Sequence, residues 1–185
     1  AIVTSGYRMK RFISFINPWK YATDEGYQLV HSLYAIGTGG LFGVGLGNSK
    51  QKALYMPEPH NDFIFAIICE ELGLIGAIII ISVFLVLIVA GINVAMRAKD
   101  KYGRLLATGI ISVIAVQVVI NIAVVTGSMP VTGVPLPFIS YGGTSLVFNL
   151  AAIGVLLNIS SQTKTHKDEI QEKIERKRIK SKMNI

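Results

Sequence analysis

Five side chains able to carry protons crowd one short stretch, MPEPHNDFIFAIICEELG at 56–73: Glu58, His60, Asp62, Glu70 and Glu71. Carboxylates and an imidazole are the groups most often used for general acid–base work. Pro57 and Pro59 hold the approach extended, because a residue before proline avoids helical backbone. The chain turns apolar from Phe63 onward, so Asp62 falls where a helix begins. The plain reading of Asp62 is an N-cap whose carboxylate accepts backbone N–H bonds; the functional reading is a base. His60 reads plainly as a loop residue, or as a group that orients Asp62 or touches a ligand. Glu70 and Glu71 lie about two helical turns further on. An acid at the centre of a membrane costs roughly 2.5–3.5 kcal/mol, so at least one of them should face a polar cavity. Being adjacent, they point about 100° apart and cannot share one role.

A second constellation is GSMPVTGVPLPFISYGGTS at 127–145, with prolines at 130, 135 and 137. It reads either as a rigid connector or as a shaped rim that binds ligand. Ser140, Tyr141 and Thr144 offer hydroxyls, and Gly142 and Gly143 let backbone approach a ligand closely. Lys50, Lys52 and Arg11 supply positive charge ahead of the acidic stretch. There is no metal-ligand spacing, no Walker-type phosphate loop and no serine-triad signature. That argues against a soluble-type hydrolase or an ATP-driven pump. The single cysteine, Cys69, excludes an internal disulfide and reads as packing.

The elements that must position these residues are membrane helices. The 185 residues are 51% hydrophobic and 16% charged, with a net charge of +7, and the apolar residues are gathered into blocks. Residues 72–96 and 105–127 carry no charge. Each exceeds the ~20 residues of helix that cross a hydrocarbon core. Buried helices of a soluble core rarely run so long without a polar face. Residues 144–159 form a shorter third candidate. The loop 97–104 holds four basic residues against Asp100, and the tail 160–185 holds eight against four acids. Basic loops stay cytoplasmic, which puts 128–143 and 7–62 outside. Arg8, Lys10 and Arg11 run against this rule, although long translocated segments tolerate positive charge. The glycine-rich 28–47 is expected to start as a helix at 26–36. It should then become a loop at the outer surface or partly re-entrant, where protein or water satisfies its backbone.

The expected fold is an all-α, polytopic membrane bundle with a large extracytoplasmic loop. The end of a preceding membrane helix occupies 1–6, and an outer loop with short helices occupies 7–62. Membrane helices follow at 63–96, 105–127 and 144–159. They are joined by the cytoplasmic loop 97–104 and the outer Pro/Gly loop 128–143, and end in the basic tail 160–185. The opening AIVTSGY reads as the end of something apolar, so the sequence is read as a piece of a longer chain.

On these residues the chain resembles the SEDS family (FtsW/RodA/SpoVE). NPWKYATDEGYQLVHSLYAIGTGGLFGVGLGNSKQKALYMPEPHNDFIFAIICEELG looks like the family's large extracytoplasmic loop and the helix after it. MPVTGVPLPFISYGGTS resembles its signature near the last span. The likeness covers about 6–160. The NPW, GLGNS and QK segments look more like division and sporulation members than the elongation member. Two positions depart from the pattern: Ser128 replaces a usual aliphatic residue, and Asn61 replaces a common Thr.

The resemblance implies a peptidoglycan glycosyltransferase of about ten membrane helices, of which this chain holds the last three. Such proteins join the disaccharides of lipid II into glycan strands beside a class B penicillin-binding protein. It also implies that the aspartate of the H-x-D-F-I-F motif, here Asp62, is essential for polymerisation. Glu58, His60, Lys52, Glu70, Glu71, Ser140, Tyr141, Gly142 and Gly143 are the expected substrate contacts. A sugar hydroxyl needs a base, and a departing pyrophosphate needs a cation. Lys50, Lys52 and Arg11 can serve there. A divalent cation is the one cofactor this chemistry invites, and no residue set marks a metal site. The partners are lipid II, the transpeptidase and membrane lipids, with no nucleic acid. A lipid II flippase and a non-catalytic scaffold are the rival readings. Three spans cannot enclose a disaccharide-pentapeptide, so this stretch alone is expected to be inactive.

Overall fold

The computed structural model describes residues 6–23, 26–51, 61–162 and 174. Among them the chain is helical and contains no strand. Helix α1 runs Gly6–Ile16 and a 3₁₀ turn follows at Pro18–Tyr21. Then come α2 at Tyr27–Gly39, α3 at Ile64–Arg97, α4 at Lys101–Val125 and α5 at Gly143–Gln162. The last three are long and apolar enough to cross a membrane. Their side chains Ile78, Ile79, Val83, Leu85, Val86 and Val89 face outward from the bundle. That apolar belt suits a bilayer or further helices and does not suit water.

Local chemistry sets the helix ends. Asp100 caps α4, its carboxylate accepting the Gly103 N–H at 2.9 Å, a contact typically worth about 1 kcal/mol. At the far end the Thr126 hydroxyl donates to the Ile122 carbonyl at 2.8 Å. Gly127, at φ +70°, then turns the chain out of the helix. Helices α3 and α4 lie antiparallel and close, with Gly91 giving room for Ile111. A core of Ala35, Phe63, Ala66, Phe84, Val118 and Leu136 joins α2, α3, α4 and the 126–142 loop. A second, with Ala95, Ala107 and Leu156, closes the other end.

Two expectations need correction. Helix α3 is not one continuous rod, because Gly73 breaks it with φ 67° and ψ −164°. Residues 74–97 alone still extend about 36 Å at 1.5 Å per residue, enough to span. Nor is Asp62 the N-cap: that position is Phe63, whose side chain makes no cap hydrogen bond.

Candidate active site at the kinked end of the bundle

The break at Gly73 would strand the carbonyls of residues 70 and 71 and the N–H groups of residues 74 and 75. In an apolar setting each stranded group is costly. The glycine-rich loop after α2 supplies their partners. The N–H groups of Val44 and Gly45 donate to the carbonyls of Glu70 and Glu71, both at 3.0 Å. In return, the N–H groups of Leu74 and Ile75 donate to Gly40 and Leu41, at 2.9 and 3.3 Å. Backbone meets backbone with no space between. A Cβ at Gly39 would sit inside the Cys69 carbonyl, one at Gly43 inside that of Glu71, and one at Gly73 against the Gly43 nitrogen.

Glu70 holds the end of the same loop. It is 2% exposed. Its carboxylate accepts a short hydrogen bond from the Ser49 hydroxyl and another from the Lys50 N–H at 3.1 Å. The acid is thus committed to the chain itself, and any role toward substrate is indirect. Removing it leaves two donors without their acceptor, at about 1–3 kcal/mol per buried group. Glu70→Ala is therefore expected to lower the melting temperature markedly, and Glu70→Gln, which keeps an acceptor, to lower it less. Equal effects in a thermal melt would contradict the anchor role. Glu71 differs, as its adjacent position requires. One of its carboxylate oxygens is buried with no hydrogen-bond partner among the described residues.

Asp62 precedes α3 at the same end, half-buried. Its backbone carbonyl accepts from Asn121 Nδ2 at 2.8 Å. The second hydrogen of that amide goes to the Val134 carbonyl, also at 2.8 Å. Asn121 lies four residues before the end of α4, so the Asp62 turn is level with the last turn of that helix, about 6 Å inside its end. The Asp62 carboxylate faces Gly133: Oδ2 lies 3.4 Å from where a Cβ there would be. From α1, Arg11 donates to the Val131 carbonyl at 3.3 Å. Acid, amide and guanidinium therefore converge on the single stretch 131–134.

That stretch belongs to a loop that is stiff by construction. Ser140 is buried; its hydroxyl accepts from the Leu136 N–H at 2.7 Å, and its own N–H donates to the Leu136 carbonyl at 3.1 Å. This pair closes the turn across Phe138, a non-glycine residue at φ +65°. A left-handed conformation of this kind costs about 1–2 kcal/mol, so the closure holds a strained backbone. Beside it lies a cavity of about 460 Å³, lined by Ile64, Phe138, Ser140, Tyr141, Gly142 and Gly143. Tyr141 is largely exposed there.

Of the expected site residues, the structure gathers Asp62, Ser140, Tyr141, Gly142, Gly143, Glu70 and Glu71 at one end of the bundle. Lys52, Glu58 and His60 lie outside the described residues. Asn121 escaped the sequence reading. The available signal was a polar amide near the end of an uncharged span, a residue that needs a partner in any apolar setting. No group of three metal-ligating side chains occurs among the described residues.

The family model for cell cycle proteins of the FtsW/RodA/SpoVE type matches residues 1–165. Stage V sporulation protein E of Bacillus subtilis (strain 168) is 57% identical over 159 residues, which cover 86% of this chain and 43% of that protein. The probable peptidoglycan glycosyltransferase FtsW of Coxiella burnetii is 51% identical over 164 residues, covering 87% and 44%. A solved chain from a peptidoglycan synthase complex, described for the coordination of polymerization and crosslinking, superposes with a TM-score of 0.71. It is 27% identical and is matched over 88% of this chain and 44% of its own length. The chain thus spans less than half the length of these relatives. With its spans, its two signature segments and these likenesses in agreement, the chain belongs to the FtsW/RodA/SpoVE family of cell cycle proteins.

Proposed function

We propose that this chain carries the base and part of the substrate rim of a peptidoglycan glycosyltransferase. It would polymerise lipid II at the outer face of the cytoplasmic membrane, in cell division or sporulation. The observation that carries the reading is the meeting of Asp62, Gly133 and Arg11 on one loop. This loop lies at the end of the bundle opposite the basic turn 97–104. Basic turns stay cytoplasmic, so the site faces outward, where a lipid-tethered sugar presents its reacting atoms.

In the reaction, a sugar hydroxyl of one lipid II attacks the anomeric carbon of another glycan. Asp62 takes the hydroxyl proton as the new glycosidic bond forms. The bond from the anomeric carbon to pyrophosphate breaks, and its electron pair leaves with the polyprenyl pyrophosphate. Arg11, with Lys50 and Lys52 from the preceding loop, offsets the charge that builds on the leaving group. Glu58 and His60 are the further substrate contacts of this reading, and a divalent cation would act on the same pyrophosphate. Tyr141, Gly142 and Gly143 line the cavity beside the Phe138 turn and are the contacts proposed for the sugar or its lipid. A class B penicillin-binding protein is the proposed partner, supported by the synthase complex whose chain this one resembles.

The experiment is polymerisation by the purified full-length protein with its partner, given lipid II in detergent. Glycan strands are expected. One observation favours the rival transport reading: the buried Glu71 oxygen without a partner among the described residues, which suits a polar path through a membrane. A transporter would move labelled lipid II across proteoliposomes and form no glycan when substrate is supplied on both sides.

A further inference from the structure

We propose that Asn121 is a positioning residue that sets the reach of the Asp62 carboxylate by tying the Asp62 turn to the Pro/Gly loop. The inference rests on the reading of Asp62 as the base, and extends it to a buried amide near the end of α4.

Asn121 is 1% exposed, on a helix whose neighbouring residues are isoleucine and valine. Burying an amide there is unfavourable unless its hydrogens are used. Both are used, and both on backbone carbonyls of other elements, Asp62 on one side and Val134 on the other. Neither bond serves α4 itself. Their joint effect is to fix the start of α3 relative to residues 131–134. The Asp62 carboxylate is attached to one of these two bodies and packs on the other at Gly133. The Val134 side cannot yield easily. It lies between Pro130 and Pro135, next to the turn locked by Leu136 and Ser140. A rigid rim, a two-pronged amide and a carboxylate on the tied residue itself form a short chain of fixed distances. Misplacing a catalytic group by about 1 Å can lower a rate about 100-fold. The Asn121 oxygen is buried and has no partner among the described residues, so the donor half of the amide does the work.

The test uses the full-length protein with its partner and supplied lipid II. Asn121→Asp keeps the shape and replaces the donor nitrogen with oxygen, facing two carbonyl oxygens. Asn121→Leu removes the amide at similar volume. Each is expected to lower kcat about 10- to 100-fold while KM stays within about threefold, because substrate contacts are untouched. A structural role alone would move stability and leave that split absent. A cycle with Asp62→Glu, which keeps a base but alters its reach, gives the second readout. If Asn121 acts through the carboxylate, its loss is smaller in the Asp62→Glu background than in the wild type. The proposal is overturned if both Asn121 variants keep kcat within twofold, or if their losses multiply in full with that of Asp62→Glu. Asn121→Ser, which retains one donor, stands in where the other two do not fold. Failure to recover any of the three also overturns the proposal, in favour of a purely structural role. Failure of the base reading is separate: it is shown by Asp62→Asn polymerising at the wild-type rate.

Discussion

Replacing Asp62 by Asn is expected to lower lipid II polymerisation by about 10²–10⁴-fold, the usual worth of a positioned base. The substitution is close to isosteric. It leaves untouched the backbone carbonyl that accepts from Asn121, so the start of α3 and the 131–134 rim should stay in place. Loss of rate is therefore expected without loss of the folded protein or of its partner. Asp62→Ala should do the same. The measurement is glycan formed per minute from supplied lipid II, with a thermal melt as the folding control. Polymerisation by Asp62→Asn near the wild-type rate would remove the base from this position. If a neutral Glu58 then abolished activity instead, the role would move there.

The second large effect is expected at Gly73, where Ala should prevent the end of the bundle from assembling. The observed φ and ψ lie in a region essentially confined to glycine, which alone costs about 1–3 kcal/mol. The added Cβ also meets the Gly43 nitrogen and must push out the loop that satisfies four backbone groups at the break. With each hydrogen bond worth about 0.5–1.5 kcal/mol, the total is on the order of 4 kcal/mol or more. That is a large part of a domain's whole stability. The expected observation is a collapse of the melting temperature and protease cleavage within 40–51. Gly37→Ala is the internal control. It is an exposed helical glycine with no atom within 4 Å of the added Cβ, so it should leave stability unchanged or raise it. Similar behaviour of the two variants would contradict the interlock.

The three long helices were legible because lipid demands an uncharged run of fixed length, and such a run is visible in one dimension. The position of Asp62 ahead of an apolar helix was legible for the same reason. What decides its surroundings was not. Gly73 looks like any glycine in an apolar stretch, and only the crossing of residues 40–45 shows that it breaks the helix. Glu70 and Glu71 could be separated by angle, but not assigned, because the partner of Glu70 is Ser49, 21 residues earlier in the chain. Ser140 was read as a hydroxyl for a ligand, and its oxygen also accepts the Leu136 N–H, a tie that no local pattern announces. Asn121 stands 59 residues from the carbonyl it holds, and no local period points to it. Periodicity reports which face a helix buries; it is silent on which loop returns to meet that face.

The proposed chemistry requires the 131–134 rim to face away from the cytoplasm. The direct measurement is cysteine labelling in intact cells with a membrane-impermeant maleimide, in a chain whose buried Cys69 is replaced by Ala. Ser128→Cys, exposed on the rim loop, is expected to label from outside. Tyr102→Cys, exposed in the basic turn, should label only after the membrane is permeabilised. The reverse pattern would place Asp62 on the cytoplasmic side, away from the sugars it is proposed to join.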